Sequence, residues 1–214
     1  MKRTLYLVST LILLGLWGTP AEAQIEAGDI KASIDASIVR WMKQEDTYSV
    51  FGVRSKEKAE ITGAGAFIGA GVGAGYAVSK YFIPSLALSL QTLKNDEGPV
   101  DMTARSWELK PSLEVALLPS LRFVPFADVG LVVQRQVFKA TDEDGDSQKS
   151  SRLALGPALG VGVHLFAVPK ASFDLSFNYR AAFKVRNSGE DDLGRLDKST
   201  QHVLLLNLGA SLWI

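Results

Sequence analysis

The sequence predicts an all-β fold in which about eight antiparallel strands close into an up-and-down barrel, and two observations support this prediction. Apolar residues recur at every second position in segment after segment, which is the signature of strands. The connections between these segments alternate between short and long, as in barrels built from successive hairpins. Cysteine is absent, so disulfides and thiolate metal sites play no part in the fold.

The clearest strand runs from Phe173 to Val185, where aromatic and aliphatic residues alternate with polar ones. A soluble barrel or sandwich turns such an apolar face inward, whereas a membrane barrel turns it toward lipid. A soluble lipid-binding barrel therefore stays an alternative that reverses the two faces. The same alternation marks seven further segments, at 30–38, 63–78, 85–91, 107–117, 128–134, 153–165 and 204–214.

The connections favour the membrane alternative. Three are short, at 79–83, 119–122 and 167–171, and four are longer and polar, at 42–62, 94–103, 141–151 and 186–201. Membrane barrels have short periplasmic turns and long outer loops. We expect strands of about 11 to 14 residues, enough for the roughly 9 to 11 that a tilted span needs. Such a barrel must close, because unpaired backbone groups in lipid are costly.

The N-terminus carries a predicted export signal. Lys2 and Arg3 precede an apolar segment at 5–17, and the small-x-small sequence Ala21-Glu22-Ala23 follows. This order predicts a signal peptide at 1–23, cleaved before Gln24, and a mature barrel domain at 24–214. The alternative is a retained anchor, but the apolar segment is shorter than the roughly 20 residues of a spanning helix.

Composition sets limits on function. The chain has 214 residues, 23 basic and 23 acidic side chains, and 47% hydrophobic residues, which indicates one ordered domain. It has no basic stripe that could neutralise phosphates, so we expect no nucleic-acid partner.

The aromatic residues of the apolar faces are expected to contact lipid. Several lie near predicted strand ends, which is typical of interfacial girdles, although scattered core positions are the alternative. The residues are Tyr76, Trp107, Phe123, Phe173, Phe177, Tyr179 and Phe183.

The segment GAGAFIGAGVGAGYAV at 63–78 admits two structures. Glycines four apart are typical of packed membrane helices, but each glycine costs a helix about 1 kcal/mol, which favours a strand. As a strand, its glycines face the lumen, and we expect long charged residues of opposite strands to fill the space.

The residues that alternate with the apolar positions of the strands should face the lumen. They predict a polar lumen in which acids and bases are nearly balanced. Buried charges are costly unless paired, so we expect a plugged lumen with a salt-bridge network; a gated conduit and a ligand site are the alternatives. The predicted lumen residues are Lys31, Asp35, Glu108, Lys110, Glu114, Asp128, His164, Asp174, Arg180 and Lys184. Strict alternation places Arg135 on the lipid face. Either its side chain lies at the level of the headgroups, where charge costs little, or a bulge shifts the register there.

No catalytic or metal motif is apparent. His164 and His202 lack zinc spacing and a nearby nucleophile, so we expect no enzyme activity, no cofactor and no metal. Acidic residues alternate in the loop 141–147, as they do in a calcium-binding loop. Counted from Asp142, glycine stands at the fourth position instead of the sixth, and Leu153 occupies the twelfth position, where a calcium loop has glutamate. We expect a solvated tip there, and a mixed-charge surface around Glu190, Asp191 and Asp192.

Taken together, the chain resembles the small outer-membrane β-barrel superfamily of OmpA-, OmpX- and OmpW-like proteins. The matching segments are GAGVGAGYAVSKYFIPSLALSL, PFADVGLVV, LGPALGVGVHLF and HVLLLNLGASLWI. The family's C-terminal assembly signal ends in an aromatic residue, whereas Ile214 stands here, preceded by Trp213.

The resemblance implies an integral protein of the Gram-negative outer membrane with a structural or surface-interaction role. Its partners are expected to be membrane lipid, lipopolysaccharide, the barrel assembly machinery and an extracellular ligand at the loops. The alternative function is transport of small or apolar solutes through the lumen or a lateral opening.

Overall fold

The computed structural model describes residues 25–50, 53–95, 101–119, 121–141, 147–188 and 195–214. The predicted signal peptide lies outside these ranges. So do the acidic tip at 142–146 and the three acids Glu190, Asp191 and Asp192.

Eight antiparallel strands form one closed barrel, as predicted. Each strand pairs with its neighbours in sequence, and β1 closes the ring by pairing with β8. The strands are β1 (Ile30–Val50), β2 (Val53–Tyr76), β3 (Phe82–Asn95), β4 (Asp101–Ala116), β5 (Phe123–Thr141), β6 (Ser147–Val168), β7 (Ala171–Ser188) and β8 (Arg195–Trp213).

Residues 63–76 of the glycine-rich segment lie in β2, so the packed-helix alternative is wrong. Glycines at every second position leave one face of this strand without side chains. Among the described residues, no helix is long and apolar enough to cross a membrane.

The two ends of the barrel differ. At one end the connections are short, at 77–81, 117–122 and 169–170. The start of β1 and the end of β8 meet at this short-turn end, where Ile30 N donates to Ile214 O at 2.7 Å and Ile214 N donates to Ile30 O at 2.9 Å. The opposite, loop end carries the four other connections.

The long loops predicted at the loop end are mostly strand, which corrects the sequence analysis. The strands have 14 to 24 residues, longer than expected, and β1 and β2 stay paired up to Val50 and Val53. Near the loop end the outer face of β1 is polar, as at Lys43 and Glu45, and so is the face toward the lumen, so the alternation of apolar and polar residues disappears while the backbone pairing continues.

The orientation of the faces decides between the membrane and soluble alternatives. Ile34 is 63% exposed and Leu90 is 61% exposed, whereas Arg180 is only 4% exposed. Apolar side chains point away from the barrel axis and charged ones toward it, as a lipid-facing barrel requires. The soluble barrel with reversed faces is therefore wrong.

Two irregularities in register change which residues face outward. The pairing of β1 shifts between Ser37 and Val39, and beyond this bulge Arg40 is buried while Trp41 is exposed. The pairing of β6 with β7 shifts at Val185, which has no partner on β6. The extra residue turns Arg186 outward. A bulge moves every later side chain of the strand to the other face.

Arg135 needs no bulge. The register between β4 and β5 is continuous there, with Arg135 opposite Trp107. The side chain is exposed and lies toward the loop end, where the membrane headgroups tolerate charge.

Candidate functional site

The lumen is closed at the short-turn end by a layer of apolar side chains, here called the apolar floor. Trp213 and Phe166 are its largest members, 1% and 0% exposed, with ring centroids 5.9 Å apart. Ile25, which precedes β1, contributes from the N-terminal segment. The complete floor is Ile25, Ala77, Ile83, Ala116, Val124, Phe166 and Trp213.

A cluster of charged side chains lies directly on the floor and is here called the His164 cluster. Lys31 Nζ donates to Glu114 Oε2 at 2.6 Å. The two nitrogens of His164 lie 3.0 Å from Glu114 Oε1 and 2.7 Å from Asp174 Oδ1. Ser211 also donates to Asp174. Five strands thus contribute to one network, and four of them supply its charged side chains.

The hydrogen bonds of His164 indicate its charge. An ionised carboxylate only accepts, so both short contacts are hydrogen bonds only when both ring nitrogens carry protons. Lys31 Nζ is also 3.4 Å from Nε2, a contact that suits a neutral ring, but the 3.0 Å contact with Glu114 is shorter and charge-assisted. An imidazolium together with Lys31 balances the two carboxylates.

Aromatic rings pack against this cluster on the side of the apolar floor. The His164 ring stacks on Phe126 with centroids 4.3 Å apart and meets Trp213 edge-on at 5.6 Å. Lys31 Nζ lies 5.3 Å from the centre of the Trp213 ring. The rings exclude water and add cation–π attraction, so the cluster and the floor form one packed unit.

Two further ion pairs cross the middle of the lumen. Arg180 on β7 donates to Glu108 on β4. Lys110 Nζ donates to Asp128 Oδ2 at 2.7 Å and to Asn178 Oδ1 at 3.3 Å. These pairs link β4 to β5 and β7 through side chains in addition to the backbone ladder.

Between these layers lies a cavity of about 140 Å³, here called the mid-lumen cavity. This space is enough for several water molecules. It is lined by charged groups of the His164 cluster and of the mid-lumen pairs, by Asp35, and by small serine and alanine side chains of β1, β3 and β4.

The glycines of β2 are matched to neighbours on the adjacent strands. A Cβ at Gly71 would lie 2.7 Å from Asp35 Oδ2, and one at Gly73 would lie 2.6 Å from Ser33 Oγ. On the other side, a Cβ at Gly75 would lie 2.7 Å from Ser85 Oγ. Short side chains of β1 and β3 therefore fill the glycine space, and not long charged residues of opposite strands as predicted.

The upper lumen is polar and was missed by the sequence analysis. Arg40 donates to Gln91, Gln136 Nε2 donates to Gln201 Oε1 at 3.2 Å, and Arg152 bridges to Asp46 at 3.4 Å. Two of these residues, Asp46 and Gln201, lie in segments that were predicted as loops. The bulge in β1 places Arg40 and Asp46 in the lumen, and parity from the first half of the strand could not reveal it.

Nine of the ten predicted lumen residues line the mid-lumen cavity, Lys184 being the exception. Asp35 is half-buried there, without a hydrogen bond or ion pair in the described part of the chain. Lys184 is also half-buried, and it lies opposite the inward-facing Ala154 of β6.

The seven predicted lipid-facing aromatics are all on the outer face. Their exposures range from 37% for Trp107 to 58% for Phe173. Tyr179 also makes a 2.7 Å hydrogen bond with Nδ1 of His202 across to β8. This bond satisfies the polar ends of two outward side chains.

The outer face also carries a basic patch near the loop end. It spans β4 to β7 and consists of Arg105, Arg135, Lys139, Lys149 and Arg186, all exposed. Register makes them neighbours: Lys139 lies opposite Lys149, and Leu153 lies between Arg135 and Arg186. In the described part of the chain, none of the five has an ion-pair partner.

Both histidines have ring nitrogens that take part in hydrogen bonds, His164 with Glu114 and Asp174 and His202 with Tyr179. Both nitrogens of His164 face carboxylates, and the nearby Ser172 and Ser211 donate to Asp174. Within the described residues, no group of three or more histidine and acidic side chains could hold a metal ion.

Comparisons with known proteins agree with this architecture. The family profile described as "Outer membrane protein beta-barrel domain" matches residues 9–210. No curated protein sequence matches the chain.

Two crystal structures show the same fold. Neisserial surface protein A (NspA) has a TM-score of 0.51 at 16% identity, and the match covers 86% of this chain and 98% of that one. OprG from Pseudomonas aeruginosa has a TM-score of 0.51 at 12% identity, and the match covers 88% of this chain and 97% of that one.

Proposed function

Because the chain belongs to the outer membrane protein β-barrel domain family, we propose that it serves as a structural and surface-contact barrel whose lumen is closed to solutes. The protein resides in the outer membrane of a Gram-negative bacterium. The proposal includes export, with removal of residues 1–23 as a signal peptide. The observation that carries it is the apolar floor, which has no counterpart in a water-filled pore.

Transport through the lumen is the alternative, and the floor argues against it. A solute would have to displace Trp213 and Phe166, and the charged cluster packed on them. Separating buried charges from their partners costs several kcal/mol. The closed role is therefore the better supported one, and the occupied nitrogens of His164 support a role without catalysis.

Conductance in planar bilayers tests the closed lumen. The purified barrel is expected to give no steady conductance. Phe166→Ala removes a ring from the floor and is expected to produce brief openings, because the remaining side chains cannot fill the gap. Phe173→Ala, which removes a ring of similar size from the lipid face, is the matched control and should stay silent. Large, steady currents from the unaltered protein would refute the closed barrel.

We also propose that the basic patch binds the phosphate groups of lipopolysaccharide. Arg105, Arg135 and Arg186 have no ion-pair partner in the described part of the chain, and Arg135 pairs across the sheet with the outward-facing Trp107, a residue type that is enriched at membrane interfaces. Arginine suits phosphate because its fork donates two parallel hydrogen bonds. None of the described outward side chains between Arg105 and Arg186 in this patch is acidic.

Binding of purified lipopolysaccharide to the detergent-solubilised barrel tests this partner. Each basic residue near an anionic headgroup contributes about 1 kcal/mol, so the triple variant Arg135→Gln/Lys139→Gln/Arg186→Gln should bind on the order of 100-fold more weakly. The control neutralises three exposed lysines on other strands, Lys56, Lys58 and Lys198. Equal weakening in both variants would mean a diffuse charge effect and no patch.

A further inference from the structure

Four cations of the basic patch form two pairs on the outer face. The upper pair, nearer the loop end, is Lys139 and Lys149, which lie directly opposite each other on β5 and β6. The lower pair is Arg135 and Arg186, which flank Leu153 from its two sides. The two pairs are four positions apart along β5, a distance of roughly 14 Å in an extended strand.

The upper pair is unfavourable in the protein alone. Like charges that face each other across two strands destabilise a sheet, and Lys139 and Lys149 face each other with exposed side chains. Neither lysine has an ion-pair partner among the residues that the structure describes. An anion held between the two ammonium groups would remove this repulsion.

The charge of the patch exceeds that of one phosphate group. A phosphate monoester carries about −1.5 to −2 charges near neutral pH, so one monoester balances one pair of cations. Arg105 adds a fifth positive charge and lies opposite Val137, between the two pairs. The described outward side chains of the patch include no acid, so the counter-charge has to come from a ligand with more than one phosphate.

The outer face next to the patch is apolar on the side of the membrane. Leu155 on β6 and Leu131 on β5 are both exposed there, and acyl chains can pack against such a face. A free phosphate would leave this face unused, and a phospholipid with a single phosphodiester could neutralise only one pair. The patch and the apolar face together therefore suit a lipid with two phosphates.

We propose that the basic patch is specific for the doubly phosphorylated headgroup of lipid A, the membrane anchor of lipopolysaccharide. Lys139 and Lys149 hold one phosphate, and Arg135 and Arg186 hold the other. The two phosphates of lipid A lie at opposite ends of one disaccharide, whose length is comparable to the separation of the pairs. The inference rests on lipopolysaccharide as the partner proposed above and adds which of its groups the barrel recognises.

Binding of two matched lipids to the detergent-solubilised barrel tests this specificity. Lipid A is compared with monophosphoryl lipid A, the same acylated disaccharide with one phosphate removed, by titration at constant ionic strength. From the usual contribution of a basic residue near an anionic headgroup, losing the contact with one pair should weaken binding on the order of 30-fold. Inorganic phosphate, added as a competitor, should not displace lipid A.

Two double variants locate the phosphates. Lys139→Gln/Lys149→Gln removes the upper pair, and Arg135→Gln/Arg186→Gln removes the lower pair. Each variant keeps one pair, which can hold only one phosphate. At least one of the two variants should therefore bind lipid A and monophosphoryl lipid A with equal affinity.

The matched control is Lys56→Gln/Lys198→Gln, which removes two exposed lysines of β2 and β8 and should keep the preference for lipid A. Equal affinities in the unaltered barrel, a preference of undiminished size in both pair variants, or displacement by inorganic phosphate would each overturn the two-phosphate specificity and leave lipopolysaccharide as a partner. Failure of the unaltered barrel to bind lipopolysaccharide or either lipid would refute the partner itself.

Discussion

At the scale of single residues, the buried ion pairs of the lumen differ from those on the surface. Lys31 and Glu114 are 2.6 Å apart, with side chains only 9% and 8% exposed. Lys58 and Glu45, on the outer face, are 3.7 Å apart, with side chains 65% and 49% exposed. Water already solvates the second pair, so only the first leaves a costly charge when one partner is lost.

A double-mutant cycle on Lys31 and Glu114 should show this difference. Lys31→Met and Glu114→Gln are each expected to lower the free energy of unfolding by about 3–5 kcal/mol, because each leaves the His164 cluster with one buried charge that is not balanced. The double variant should lose much less than the sum. The midpoint of urea unfolding in micelles measures all three.

The surface pair provides the control for this cycle. Lys58→Met and Glu45→Gln should each change the unfolding free energy by less than about 1 kcal/mol, with little coupling. Additive losses for the lumen pair would contradict a cooperative His164 cluster.

At the scale of the strand, alternation predicted the fold well and failed where the register changes. From Phe173 to Phe183 the large apolar side chains face outward as the sequence indicates. In β1 the rule holds up to Ser37, and the bulge then reverses it, so Arg40 enters the lumen. A single inserted residue changes the backbone pairing without altering local composition, so period-two analysis cannot detect it.

The positions at which the strands end near the loops could not be predicted from the sequence either. Polar residues such as Glu45 and Lys58 are paired across β1 and β2, although their composition suggests a loop. The apolar floor was missed for a related reason: Ile83 and Phe166 are apolar residues that face inward, against the rule that applies to the membrane span. Only the closed ring reveals that they meet.

At the scale of the whole molecule, closure of the barrel and closure of the lumen depend on the same last residues. β8 pairs with β1 up to Trp213, and the terminal Ile214 exchanges two backbone hydrogen bonds with Ile30. Trp213 turns inward into the floor, whereas Ile214 beside it is 77% exposed.

Truncation of these two neighbouring side chains should therefore have different consequences. Trp213→Ala leaves a gap in the floor and is expected to cost about 3–5 kcal/mol of unfolding free energy. Ile214→Ala removes an outward side chain at the membrane edge, where about 1–2 kcal/mol is at stake. Heat-modifiable gel migration across a urea series measures both, because only the folded barrel migrates faster when unboiled. Trp213 packs between His164 and Phe166, so its loss should lower the unfolding free energy more than the loss of a side chain that contacts lipid alone. Equal midpoints for the two variants would therefore show that Trp213 does not seal the lumen.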